Sequence, residues 1–247
     1  MLLSIDTSSR YGGAALAGSD GQVVEARIWR STANHTAQLM PAVTELLNAR
    51  SIRAAELTAV AVALGPGPFS ALRVGVSAAK GLAMAGGFPI IGVDTLLLEA
   101  RRYLDHARHA QPTGECSPVA WLDAGRNEVA AGAFGAGGER MREDRVGSPA
   151  DLLEHDAEES LTRIYCGEAA WARRDEIWDL AGDGAGSVVM PWTPADRLFA
   201  LSELAAGRLS AGQSDDLAAL QPYYLRMPTI GAPRRRDLVR QGRLSSS

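Results

Sequence analysis

Cysteine is nearly absent from this chain: Cys116 and Cys166 are the two among 247 residues. Neither has a second cysteine nearby, which excludes zinc-type spacing. So small a thiol content fits a reducing compartment, and both residues read as core or loop positions without a chemical role. Long apolar runs are also missing. No stretch reaches the roughly 20 apolar residues that a membrane helix needs. The opening Met1-Leu2-Leu3-Ser4-Ile5-Asp6 has no basic region or long apolar run of a secretory leader. The expectation is a cytoplasmic protein without a membrane partner. Net basic charge is lacking too: the chain carries −4, whereas a protein that grips RNA through its own surface is usually basic.

Catalytic signatures are equally scarce. There is no His-Glu-x-x-His, no P-loop Gly-Lys-Ser/Thr and no dinucleotide fingerprint. No local Ser-His-Asp or Cys-His arrangement marks a nucleophile or a general base. Four histidines are present, His35, His106, His109 and His155. His106 and His109 sit among arginines, a poor setting for a cation. His35 stands alone and would need ligands from elsewhere to hold a metal. Neither a catalytic residue nor a metal site is expected.

What is present is a repeated order of elements. A hydrophobic share of 46% can fill one large core or two small ones. Leu2–Ile5, Gly13–Ala17 and Val23–Trp29 read as a three-strand meander, with Gly18-Ser19-Asp20-Gly21 as a turn. The helical spacing of Leu39, Val43, Leu46 and Leu47 predicts a helix over His35–Ala49, with Pro41 imposing a kink or a late start. Ala59–Leu64 reads as a strand buried on both faces. Ser70 then opens a helix to about Ala85, followed by a strand at Pro89–Val93 and a helix at Thr95–Tyr103. After a link at His109–Pro118 the pattern restarts. Strands are expected at Val119–Leu122, Glu128–Phe134 and Glu139–Arg145, the last two joined at Gly135–Gly138. A helix near Pro149–Glu154, a strand at Arg163–Cys166, a helix at Glu168–Leu180, a strand at Ser187–Met190 and a helix at Ala195–Ala206 complete the order.

The order βββαβαβα thus occurs twice. It implies an α/β protein with mixed sheets covered on both faces: two RNase H-like halves in the actin/hexokinase/Hsp70-like (ASKHA) architecture. We divide the chain into an N-terminal half (1–105), a C-terminal half (106–232) whose last helix could pack back on the first half, and a basic, disordered tail (233–247). That tail holds Arg234, Arg235, Arg236, Arg240 and Arg243 against one acid, Asp237. It reads as a solvated tail, with an RNA-touching arm as the alternative.

Two short turns stand out. Asp6, Thr7 and Ser8 lie where the first strand turns into the second, and Leu122-Asp123-Ala124-Gly125 occupies the same place in the second half. Each is an ordinary Asp turn, the reading that spacing alone favours, or one side of a phosphate-facing cleft, a reading raised by the second copy. Gly65-Pro66-Gly67-Pro68-Phe69 joins a buried strand to a helix. It is either a rigid turn or an anion-binding junction, although its prolines remove donors. Ala71, Gly75, Ala78, Ala79 and Ala83 line the following helix, for sheet packing or for close approach of a partner helix.

Taken in order, these pieces resemble the TsaB family. The matches are Ile5-Asp6-Thr7-Ser8 with Gly12–Leu16, His35-Thr36-x-x-Leu39-x-Pro41, and Gly65-Pro66-Gly67-x-Phe69-x-x-Leu72-Arg73 leading to Ala79-Lys80-Gly81-Leu82-Ala83. Leu122-Asp123-Ala124 with Glu128-Val129, and Pro222-x-Tyr224-Leu225-Arg226, continue the series to about residue 228. The resemblance implies a non-catalytic scaffold or activator subunit in the bacterial machinery that transfers threonylcarbamoyl to an adenosine of tRNA. It implies a heterodimer with the catalytic subunit TsaD, made through the helices His35–Ala49 and Ser70–Ala85. The partner-binding residues would be His35, Leu39, Val43, Ser70, Leu72, Arg73, Gly75 and Ala79. The ATPase TsaE would be a third component, tRNA would be reached indirectly through the complex, and the chain alone could form a homodimer. TsaD carries paired metal-binding histidines, where this chain has His35 and no second histidine at helical spacing. Cys166-Gly167-Glu168-Ala169-Ala170 stands where a glycine-rich adenosine-binding turn would be expected. Asp6, Thr7, Ser8 and Asp123 would then be a vestigial nucleotide site, binding ATP or ADP weakly and no cofactor strongly. Two alternatives remain: a nucleotide-dependent phosphotransferase built on Asp6 and Asp123, and a glycoprotease-like peptidase.

Overall fold

The structure is a computed structural model; it describes residues 1–31, 35–110, 116–157, 162–181 and 188–225. The tail 233–247, Arg226 and part of the link at 109–118 lie outside the described residues, as do the side chains of His106 and His109.

In the first half β1 (Leu2–Asp6), β2 (Tyr11–Ala17) and β3 (Val23–Arg30) form an antiparallel meander. α1 (His35–Ala49) leads to β4 (Ala59–Ala63), which pairs parallel to β1. α2 (Phe69–Gly86) leads to β5 (Ile90–Val93), parallel to β4, and α3 (Thr95–Ala110) follows. The sheet order is β3-β2-β1-β4-β5. The second half repeats it with β6 (Cys116–Gly125), β7 (Glu128–Ala133), β8 (Arg145–Gly147), β9 (Thr162–Cys166) and β10 (Val188–Val189), in the order β10-β9-β6-β7-β8. Its helices are α4 (Pro149–Ala157), α5 (Glu168–Ala172), α6 (Arg174–Ala181) and α7 (Pro194–Ser210). The first three strands are antiparallel and the last two parallel in both sheets. The expected duplication is therefore present in topology.

Three expected elements differ. The third strand of the second half is Arg145–Gly147 rather than Glu139–Arg145. Before Arg145 the two segments meet only in an isolated bridge, Phe134–Arg140, and a bond from Met141 N–H to the Ala133 carbonyl at 3.0 Å; Arg140 itself is held by Asp94 and Asp144 at 2.9 and 2.8 Å, and the continuous ladder with β7 starts at Arg145. The single helix expected over Glu168–Leu180 is two. Arg173 N–H closes on the carbonyls of both Ala169 and Ala170, and α6 starts afresh at Arg174. α1 starts at His35, ahead of Pro41, so the proline does not delay it.

Alternation decides which helix covers which face. On the first sheet Leu3, Ile5, Val60 and Val62 point to α1 and α2, meeting Leu39, Val43, Leu46 and Val76. Each fully buried side chain of this size contributes roughly 1.5–3 kcal/mol. Leu2, Ala17, Ala59, Ala61 and Ala63 point to the other side, which α7 fills with Leu201 and Ala205. This alanine-lined face lets α7 come close enough for Ser202 and Ser4 to share a hydrogen bond of 2.8 Å. On the second sheet, Leu122, Ala130 and Ile164 meet Leu96, Ala100 and Tyr103 of α3. The halves thus exchange their last helices: α3 covers the second sheet and α7 the first.

The small residues of α2 have the same purpose. Ala71, Gly75, Ala79 and Ala83 are buried. A Cβ built at Gly75 would stand 2.4 Å from Thr7 Oγ1, whose hydroxyl donates to the Ala71 carbonyl at 2.7 Å. The Gly65–Pro68 turn is equally tight, since a Cβ at Gly67 would lie 2.1 Å from the Ser8 carbonyl oxygen. Gly75→Val should therefore cost about 2 kcal/mol or more through overpacking, read from urea denaturation. An unchanged midpoint would contradict this account of α2.

Candidate functional site

The two halves meet at the β1–β2 turn, and the centre of that junction is Arg197 of α7. It is fully buried, an unusual position for a charge unless it is paired. Its Nε donates to Asp6 Oδ2 at 2.6 Å, and its Nη1 to Glu99 Oε1 at 2.9 Å and Glu168 Oε2 at 3.3 Å. Nη2 donates to Ser9 Oγ at 2.8 Å and to the Tyr11 carbonyl at 3.3 Å. Asp6 belongs to β1, Glu99 to α3 and Glu168 to the start of α5. One side chain thus binds both halves. Arg10 adds a second tie, reaching Asp123 and Glu168 at 3.1 Å each. Arg10 is about half exposed, so screening leaves this pair a small contribution.

Both carboxylates of the expected cleft are engaged. The remaining oxygen of Asp6 accepts from the Ser8 backbone N–H and hydroxyl at 2.8 and 2.6 Å. Asp123 Oδ1 accepts from Gly125 N–H at 2.9 Å. Thr7 is occupied by α2, as described. Asp6, Thr7, Ser8 and Asp123 therefore gather around one junction, with Arg197 and Arg10 as the cations that pair with its two aspartates. Among the described residues, no group of three or more His, Cys, Asp or Glu side chains is arranged to hold a metal ion.

The charge balance is lopsided, because Arg197 faces three carboxylates. Burial, with Glu168 nearby, outweighs the pull of Arg197 and the 2.6 Å bond from Trp192 Nε1, and pushes the Glu99 carboxyl up to about 7. Burial alone would lower the Arg197 pKa, yet Asp6, Glu99 and Glu168 together raise it, so the guanidinium stays charged.

His35 is also internal. Trp29 Nε1 donates to its Nδ1 at 3.2 Å, so Nε2 carries the proton and donates to the Ser9 carbonyl at 2.9 Å. Burial lowers its pKa against the opposing pull of Ser9 and Asp6, which favours the neutral ring. Gly12 makes this packing fit: a Cβ there would come within 2.7 Å of both the Trp29 ring and His35 Nδ1.

Of the eight expected partner-binding residues, His35, Leu39, Val43, Leu72, Gly75 and Ala79 are buried within this chain. Their side chains support the helices from inside, because the apolar stripe of each helix is used by its own sheet. Ser70 and Arg73 are exposed. The outer face is a groove of about 380 Å³ between α1 and α2, lined by Leu39, Met40, Arg73, Val74 and Ser77, with Met40 and Met84 exposed on the same pair of helices. Arg197, Glu99 and Glu168 were missed from sequence. The one signal was a charge, Arg197, beside Leu198 and four residues before Leu201 on an otherwise apolar helix face.

The duplicated fold defines the actin/hexokinase-like class. A polyphosphate/ATP-glucomannokinase from Arthrobacter shares it at a TM-score of 0.54 and 11% identity, over 84% of this chain and 98% of that one. YeaZ from Pseudomonas aeruginosa superposes at 0.66 with 23% identity, over 91% and 99%. The family model described as TsaD, tRNA N6-adenosine threonylcarbamoyltransferase, matches residues 30–172. The tRNA threonylcarbamoyladenosine biosynthesis protein TsaB of Bacillus subtilis is 30% identical over 92% of this chain and 94% of its own length. The chain belongs to this family, as a TsaB-type member.

The Glu99 shift has a measurable consequence. Its folded pKa lies above the unfolded value of 4.5, so the native state holds the proton more tightly and Glu99 withdraws stability as pH rises from about 4.5 to 7. His35 acts in the opposite direction. The difference between the parent and Glu99→Gln isolates Glu99. The variant should gain relative stability across that window, by roughly 3 kcal/mol at full effect. A pH-independent difference would refute the assignment.

Proposed function

We propose that this chain is the non-catalytic TsaB-type subunit of the cytoplasmic machinery that places threonylcarbamoyl on an adenosine of tRNA. Its role is to bind and activate the transferase TsaD. The observation that carries this reading is kinship with a TsaB protein along 94% of that protein's length. The site supports it physically. Asp6 is spent on the buried Arg197 and Asp123 on the half-exposed Arg10, so the chain binds no nucleotide tightly and offers little for a phosphotransferase or a peptidase to use. The outward groove between α1 and α2 is the face on which TsaD would dock, with TsaE joining the pair; a second copy of the chain could occupy the same face when TsaD is absent.

Reconstitution tests this. Purified TsaD, TsaE and the enzyme that makes the threonylcarbamoyl-adenylate should modify tRNA only when this chain is added, and the chain should co-purify with TsaD. Ser77→Arg, exposed in the groove, should weaken that complex at least tenfold, about 1.4 kcal/mol, with an unchanged denaturation midpoint. Absence of both complex and activation would overturn the reading. A full complex with Ser77→Arg would move the docking face.

A further inference from the structure

β3 is the edge of the first sheet. Among the described residues it pairs with β2 and with no strand on its outer side. Its inner bonds continue to Ser31, whose N–H donates to the Arg10 carbonyl at 2.8 Å. Antiparallel bonding alternates along a strand, so the N–H and C=O of Ile28 and Ala26 turn away from β2. An edge of 8 residues with outward backbone groups is a template for pairing with another chain.

The side chains suit such a pairing. Ile28 stands opposite Gly13, where a Cβ would lie 2.5 Å from Leu198 of α7, so Ile28 is on the α7 side of the sheet. Ile28, Val24 and Phe199 of α7 are nevertheless exposed. The opposite side of the strand carries charge. Arg27 pairs with Glu25 of its own strand and, at 3.8 Å, with Glu45 of α1. Its Nη1 also donates to the Ala26 carbonyl at 2.9 Å, which puts the guanidinium on the edge itself.

The order of these residues is self-complementary. In an antiparallel pairing of two copies about a two-fold axis at Ala26, Glu25 of each copy stands opposite Arg27 of the other, and Val24 opposite Ile28. The charges then alternate in sign around the axis. Each Ala26 N–H donates to the other copy's Ala26 carbonyl, and Arg27 leaves that carbonyl for Glu25 of the other copy. Opposite charges and apolar pairs directly across a ladder stabilise it, whereas like charges destabilise it. Moving the axis by one residue sets Glu25 against Glu25 or Arg27 against Arg27, so the charges select this register over its neighbours.

We propose that two copies of this chain pair through their β3 edges, joining the two five-stranded sheets into one, with Glu25 and Arg27 fixing the register. The occupant is a second copy because one strand supplies both members of every pair, as a two-fold contact requires. This contact is separate from the groove between α1 and α2, and it does not rest on the function proposed above.

Sedimentation equilibrium of the full chain over a range of concentrations tests this, and the parent should dimerise. Glu25→Arg alone and Arg27→Glu alone each set like charges across the ladder. Each should weaken the dimer by roughly tenfold or more, with circular dichroism unchanged. An equimolar mixture of the two single variants restores opposite charges at every position and should dimerise like the parent. The double variant Glu25→Arg/Arg27→Glu should do the same. A monomeric parent, single variants that dimerise as tightly as the parent, or a mixture that stays monomeric would overturn the proposal. So would a dimer lost in Ser77→Arg and indifferent to both strand charges, which would place the second copy in the groove.

Discussion

A single buried guanidinium holds the two halves together. Arg197 is enclosed by Asp6 from the first sheet, Glu99 from α3 and Glu168 from α5. Desolvating such a cluster is costly, and its attraction offsets that cost only with close geometry and satisfied hydrogen bonds. Both are present here, with Ser9, Tyr11 and Trp192 completing the set. Removing the cation alone would leave carboxylates buried without compensation, a loss of about 3–5 kcal/mol. The exchange of last helices makes the arrangement possible. α7 brings Arg197 across to the first sheet, and α3 brings Glu99 under the second.

The same junction links the fold to the functional reading. Between the halves, the two Asp turns are engaged by side chains of the chain itself, Asp6 by Arg197 and Asp123 by Arg10. What remains available is the outside of α1 and α2, where the buried stripes secure the helices to their sheet and Met40, Arg73 and Ser77 are left outward.

Much of the fold was legible because strands buried on both faces write continuous apolar runs and helices write a period of 3.6. Ala59–Ala63 and Leu39/Val43/Leu46 are such cases, and the repeated order followed from them. The third strand of the second half was misplaced because Glu139–Met141 carries strand-like spacing yet makes only an isolated bridge to Phe134, while Arg140 is held by the distant Asp94. The site was half legible. Asp6 and Asp123 announce themselves by recurring at matching places, but Arg197, Glu99 and Glu168 come from three distant helices and carry no shared spacing. The small residues of α2 were visible, but their meaning was not. A stripe of Ala and Gly looks alike whether a sheet or another helix approaches it; the packing of Ala79 and Ala83 with Ile5 and Val62, and of Gly75 against Thr7, assigns it to this chain's own first half.

In the proposed function, the pairing of Asp6 with the buried Arg197 and of Asp123 with Arg10 leaves no tight nucleotide site. Calorimetric titration of the purified chain with ATP and magnesium tests it most directly. The account predicts no binding heat at millimolar nucleotide. A saturable isotherm with a micromolar dissociation constant would contradict it and return Asp6 and Asp123 to candidacy as a working site.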